Sequence, residues 1–86
     1  MAIGLNLLPG VILDQHFLKR NRLPRLIAAI RANPGLIGLG IDEATAIVVE
    51  NGELKVEGQS YVIRIEQVDG QIKVDAFEVG EIIPLN

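Results

Sequence analysis

Apolar residues come in short runs along this chain, and their spacing changes from helical to strand-like around Asn33-Pro34-Gly35. The first stretch, Gly4-Leu5-Asn6-Leu7-Leu8-Pro9-Gly10, has turn punctuation around small apolar pieces. Val11-Ile12-Leu13 then predicts a short buried strand, because aliphatic residues sit between Gly10 and the polar Asp14-Gln15-His16. Leu23, Leu26, Ile27 and Ile30 recur at helical spacing and predict one apolar stripe. Pro24 suits the first turn of that helix, where its missing N–H costs nothing, and Asn33-Pro34-Gly35 ends it.

Beyond the helix the pattern is β. The continuous run Leu36 to Ile41 predicts a strand covered on both faces, and Gly38 and Gly40 within it suggest close approach of another backbone. Asp42-Glu43-Ala44 makes a turn. Asn51-Gly52 predicts a hairpin pairing Thr45–Glu50 with Glu53–Val56. Asp69-Gly70 predicts a second, from Ser60–Gln67 and Gln71–Val79, with one face wet because apolar and polar residues partly alternate. Ile82 and Ile83 precede Pro84 and add a last edge piece. The fold class is therefore α/β, one helix followed by antiparallel β-hairpins. Residues 1–86 form a single unit, with a His-bearing strand and basic helix in 1–35 and a β-rich segment in 36–86.

Composition narrows the function. With 86 residues, 49% of them apolar, the chain has material for one small core, or for a piece of a larger one. It has no cysteine, which removes disulfides, thiol nucleophiles and thiolate metal sites and fits a reducing, cytoplasmic setting. From Lys19 to Arg31 there are five basic residues and no acidic one, whereas from Asp42 onward ten acidic residues face three basic ones. A net charge of -3 argues against a nucleic-acid binder and makes the basic stretch a local anion site or a solvated helix face. The apolar first thirteen residues lack a basic leader and are broken by Asn6, Pro9 and Gly10, so neither a signal segment nor a membrane span is expected.

His16, the single histidine, follows Asp14 and Gln15 at the end of the first strand, where open α/β sheets handle their ligands. A neutral imidazole can serve as general base and then general acid. Arg20, Arg22 and Arg25 follow, and arginine suits planar, two-pronged recognition of carboxylates. Asp14 can orient His16, hold one of these arginines or bind a basic group of a substrate, and spacing leaves all three open.

Asp14-Gln15-His16-Phe17 with Arg20, Arg22 and Arg25 fits D-Q-H-F-x-x-R-x-R-x-x-R, seven fixed positions in twelve, and resembles the cyanophycinase-like serine peptidase family. Gly4 to Leu13 is similar to the approach to that motif, and Gly40 to Ala46 to the strand and turn that follow it. The resemblance implies the C-terminal part of a class I glutamine amidotransferase-like (flavodoxin-like) sheet. It also implies a Ser-His-Glu peptidase cleaving β-aspartyl-arginine units of cyanophycin, without metal or other cofactor. His16 would be the triad base, with Asp14, Gln15, Arg20, Arg22 and Arg25 lining the substrate pocket.

The family's nucleophilic serine lies upstream of its histidine, and the resemblance is taken to put the triad acid upstream as well. The fifteen residues before His16 contain no Ser, Thr or Cys, and the one serine, Ser60, lacks a nucleophile elbow. The chain is accordingly expected to be a C-terminal fragment, a separate domain or part of a split enzyme, inactive alone. Its partners would be the missing N-terminal portion carrying Ser and Glu, or a second copy at an exposed sheet edge. The competing reading is a small β-rich interaction module whose basic helix binds an acidic partner. A metal site of His16, Asp14 and Glu43 is the weakest reading, having one nitrogen ligand and no close ligand spacing.

Overall fold

The computed structural model describes residues 2–3, 10–15 and 23–84. In chain order the elements are β1 (Ala2–Ile3), β2 (Val11–Gln15), α1 (Leu23–Ala32), β3 (Ile37–Ile41) and β4 (Thr45–Glu50), then β5 (Glu53–Gly58), β6 (Tyr61–Val68), β7 (Gln71–Glu78) and β8 (Ile82–Ile83). They form a mixed five-stranded sheet, ordered β1-β2-β3-β6-β7, and a three-stranded sheet, β4-β5-β8. The predicted α/β class holds.

The parallel pair β2 and β3 is the centre of the arrangement, with Val11 opposite Ile37 and Gln15 opposite Ile41. Parallel neighbours need a crossover, and α1 supplies it. Leu26 and Ile30, one helical turn apart, are fully buried against Ile12 and Ile65. Each such burial is worth about 1.5–3 kcal/mol. Leu23 remains 36% exposed, so the working part of the apolar stripe starts at Leu26. At the helix end Asn33 Nδ2 donates to the Ala29 carbonyl at 2.9 Å, and Leu36 N–H donates to the Asn33 carbonyl at 2.9 Å. These bonds satisfy carbonyls that the last turn leaves open.

The other face of the five-stranded sheet packs on the smaller sheet. Val11, Leu39, Ile41 and Val62 meet Leu54, Val56 and Ile83 there in one buried cluster. Helix, sheet and second sheet thus form three layers. No helix among the described residues is long and apolar enough to cross a membrane.

Both predicted hairpins form on two-residue turns. Asn51 and Gly52 have φ of 52° and 76°, and Asp69 and Gly70 have 51° and 79°, the left-handed pairs that match the strand twist. The hairpins nevertheless join different sheets. β4 and β5 stand apart with β8, while β6 returns to pair with β3, Gly38 opposite Ile65.

Two expectations change. Gly38 is met by helix side chains and not by a backbone. A Cβ there would lie 3.0 Å from Leu26 Cδ1 and 3.2 Å from Ile30 Cδ1, so the glycine lets the helix settle onto the sheet. Crowding by another backbone occurs instead at Gly58, where φ is +118° and a Cβ would stand 2.8 Å from Thr45 Cα. The wet face expected for the second hairpin belongs mainly to β7. β6 is covered from both sides, and Arg64 on it is buried on the same face as Val62. Its guanidinium is compensated by Glu66, through donors at 2.9 and 3.2 Å, and by Asp75 at 3.6 Å.

Candidate active site

The carboxyl ends of β2 and β3 lie side by side because the two strands are parallel. Asp14 pairs with Gly40 and Gln15 with Ile41. Side chains alternate along β2, so Asp14 shares the helix-facing side with Ile12, and Gln15 shares the other side with Val11 and Leu13. Asp14 is completely buried and Gln15 is exposed. A buried carboxylate is costly without compensation, and Asp14 and Glu43 each have an interaction partner. Gly40, opposite Asp14, has no side chain to compete for the space.

β3 ends in the turn Asp42-Glu43-Ala44, which leads into β4. Gln15, Ile41, Asp42, Glu43, Ala44 and Thr45 line a concavity of about 150 Å³ at this end of the sheet. Ala44 holds φ of 57°, a left-handed conformation that residues other than glycine and asparagine seldom take. Such backbone strain persists where surrounding contacts fix it, and here they do. Gln59 N–H donates to the Ala44 carbonyl at 2.9 Å, Ser60 Oγ donates to Asp42 Oδ2 at 2.8 Å, and Ser60 N–H donates to Thr45 Oγ1 at 3.1 Å. Thr45 Oγ1 donates in turn to the Glu43 carbonyl at 3.3 Å.

The other site residues named from sequence divide cleanly. His16, Arg20 and Arg22 lie outside the described residues. Arg25 is exposed in the first turn of α1. A helix that returns between parallel strands starts at their carboxyl end, so topology puts Arg25 at the same end of the sheet as Gln15. Gln15, the last described residue before His16 in the chain, lines the concavity. The Asp42-Glu43 turn, which the sequence presents as a turn with Glu43 weighed as a metal ligand, lies at this same end of the sheet. The signal that identifies it is parallel pairing, since two successive strands joined by a helix end side by side.

A second, wider depression of about 390 Å³ is lined by Gln59, Ser60, Tyr61, Glu78 and Val79. Ser60 therefore stands between the two, bonded to Asp42 of the first.

The family model for peptidase family S51 matches residues 1–57, from β1 almost to the end of β5. A cyanophycinase of Trichormus variabilis is 49% identical over 70 residues, which is 80% of this chain and 24% of that protein. A cyanophycinase of Synechococcus elongatus is also 49% identical over 70 residues, covering 80% of this chain and 22% of the relative. One from Geminocystis herdmanii is 46% identical over 72 residues, 83% of this chain and 25% of the relative. The chain spans about a quarter of the length of the curated relatives it matches. The aligned region carries both the strand leading to His16 and the Asp42–Thr45 turn, and on these grounds the chain belongs to peptidase family S51.

Proposed function

We propose that these residues are the histidine-bearing portion of a cyanophycinase-like serine peptidase that hydrolyses β-aspartyl-arginine units of cyanophycin in the cytoplasm. The observation that carries the reading is the parallel register of β2 and β3, which sets Asp14-Gln15 beside the Asp42–Thr45 turn just where the chain reaches His16. In this reading the chain is the C-terminal part of a glutamine amidotransferase-like sheet, and the strands bearing the nucleophilic serine belong beyond β2. Support for that placement is the outer edge of β2, which among the described residues β1 covers opposite Leu13 and Ile12 alone.

His16 takes the proton of the serine hydroxyl as the acyl bond is attacked and returns it to the leaving amine. The imidazolium formed in between needs a carboxylate. The resemblance placed that acid upstream; the register offers Glu43 nearer at hand, on the turn beside Gln15. We assign Glu43 the orienting role. Complete burial suits Asp14 to bracing His16 or an arginine, whereas exposed Gln15 suits contact with substrate. Arg20, Arg22 and Arg25 would pair with aspartyl carboxylates in two-pronged fashion.

The test is complementation. This chain is mixed with the upstream portion of a family member and β-aspartyl-arginine hydrolysis is measured. Activity is expected to return with the native chain and to be lost with His16→Ala. Activity that returns equally with His16→Ala would remove the catalytic assignment.

A further inference from the structure

Ser60 is the single serine of the chain, lies beyond the residues matched by the family model, and is not the nucleophile by any geometry present. It nonetheless makes two of the bonds that hold the acidic turn. We propose that Ser60 is a positioning residue that clamps the Asp42–Thr45 turn, and with it Glu43, in place beside Gln15 at the end of the sheet. This rests on the assignment of Glu43 made above.

The turn has few means of holding itself. Asp42 and Glu43 lie just past β3, and Ala44 is held at φ of 57° against its own preference. The restraint comes from the link between β5 and β6, reached fourteen or more residues later in the chain. Gly58 pairs with Thr45 and approaches so closely that any side chain would strike the Ala44 carbonyl. Gln59 N–H then bonds the Ala44 carbonyl, and Ser60 bonds Asp42 through its hydroxyl and Thr45 through its amide. Of these groups only the Ser60 hydroxyl reaches the β3 side of the turn, at 2.8 Å from Asp42 Oδ2. A hydrogen bond to a carboxylate is stronger than one between neutral groups. It fixes the start of the turn while the backbone bonds fix its end, and Glu43 lies between the two.

The arrangement also explains why the turn tolerates a left-handed alanine. Both sides of Ala44 are tied to a neighbouring strand link, so the conformation is over-determined by its surroundings. Loss of the Ser60 hydroxyl removes the tie on one side and lets Asp42 and Glu43 move as a pair without unfolding the sheet, whose core lies on the strands themselves.

Because the chain holds one histidine, its imidazole titration can be followed by NMR in the intact chain. Glu43→Gln is expected to lower the His16 midpoint by about one pH unit, since a nearby carboxylate favours the charged imidazole. Ser60→Ala is expected to lower it by about half as much and to speed amide exchange at Glu43 and Ala44 about tenfold, leaving the Asn51-Gly52 turn unchanged. Ser60→Thr, which keeps the hydroxyl, is expected to restore both. If Glu43→Gln leaves the midpoint in place, the Glu43 assignment falls and this inference with it. If Glu43→Gln moves the midpoint and Ser60→Ala does not, the clamp alone is overturned. A shift with Ser60→Ala that Ser60→Thr fails to reverse overturns it too.

Discussion

Arg64 stands directly opposite Asp75 in the β6–β7 register, yet its tightest contact is with Glu66, two positions along its own strand. The distances are 2.9 and 3.2 Å to the two Glu66 oxygens and 3.6 Å to Asp75. Arg64 is only 3% exposed, so the pairing decides whether a buried cation is tolerated. Glu66→Ala is expected to destabilise the fold by about 2–4 kcal/mol, because it leaves a buried charge half compensated. Asp75→Ala should cost less than Glu66→Ala, and Arg64→Met should cost least of the three. Urea unfolding of the three variants checks the order.

Leu26 fills the space above Gly38. Gly38→Val is expected to force the helix outward at a cost of about 1–3 kcal/mol, and Leu26→Ala to cost about 2–5 kcal/mol by leaving a cavity. The two changes are complementary in volume. The double variant should therefore be more stable than the sum of the single effects allows, a coupling that a double-mutant cycle measures directly. Simple additivity would show that the two residues do not share the space.

Gly58 and Gly35 make a paired test of glycine. Gly58→Ala places a side chain against Thr45 and Ala44 at a positive φ, and a loss of about 1–3 kcal/mol is expected. Gly35 has open space and no positive φ, so Gly35→Ala should be neutral or stabilising by up to about 1 kcal/mol. Thermal melts that rank the two the other way would contradict the geometry of the β5–β6 link.

Asp14 and Gln15 are adjacent but differ fully in burial. Asp14→Ala is expected to lower stability by about 1–3 kcal/mol, since it empties a fully buried polar position. Gln15→Ala should change stability by no more than about 0.5 kcal/mol. In the complementation assay Gln15→Ala is expected to raise KM with little change in kcat, as loss of uniform binding does. A stability loss at Gln15 equal to that at Asp14 would contradict their opposite burial.

Local features of the fold were legible in the sequence. Asn51-Gly52 and Asp69-Gly70 named their own turns, and Pro24 and Asn33 marked the helix, because each signal depends on the backbone of two or three residues. Partnership was not legible. Nothing in Thr45 to Gly58 says that this hairpin leaves the main sheet, and nothing in Arg64 says that it is buried, since both depend on what β6 pairs with. At the candidate site, the sequence offers a motif around His16 and the arginines as spacing along one segment. The contribution of Asp42 and Ser60 was hidden because eighteen positions separate them. The antiparallel return of β6 onto β3, with Ile41 opposite Val62, brings them together.

That return has a kinetic consequence. β3 and β6 are sheet neighbours, but the whole β4–β5 hairpin intervenes between them in the chain. A hairpin on an Asn-Gly turn can zip within about 1–10 microseconds, whereas the β3–β6 seam must close a longer loop first. The excursion therefore shortens the search, because a formed hairpin brings Ile41 and Val62 within reach of each other before they pair. Substitutions at Asn51 are expected to slow folding, and those at the β7 edge to speed unfolding instead.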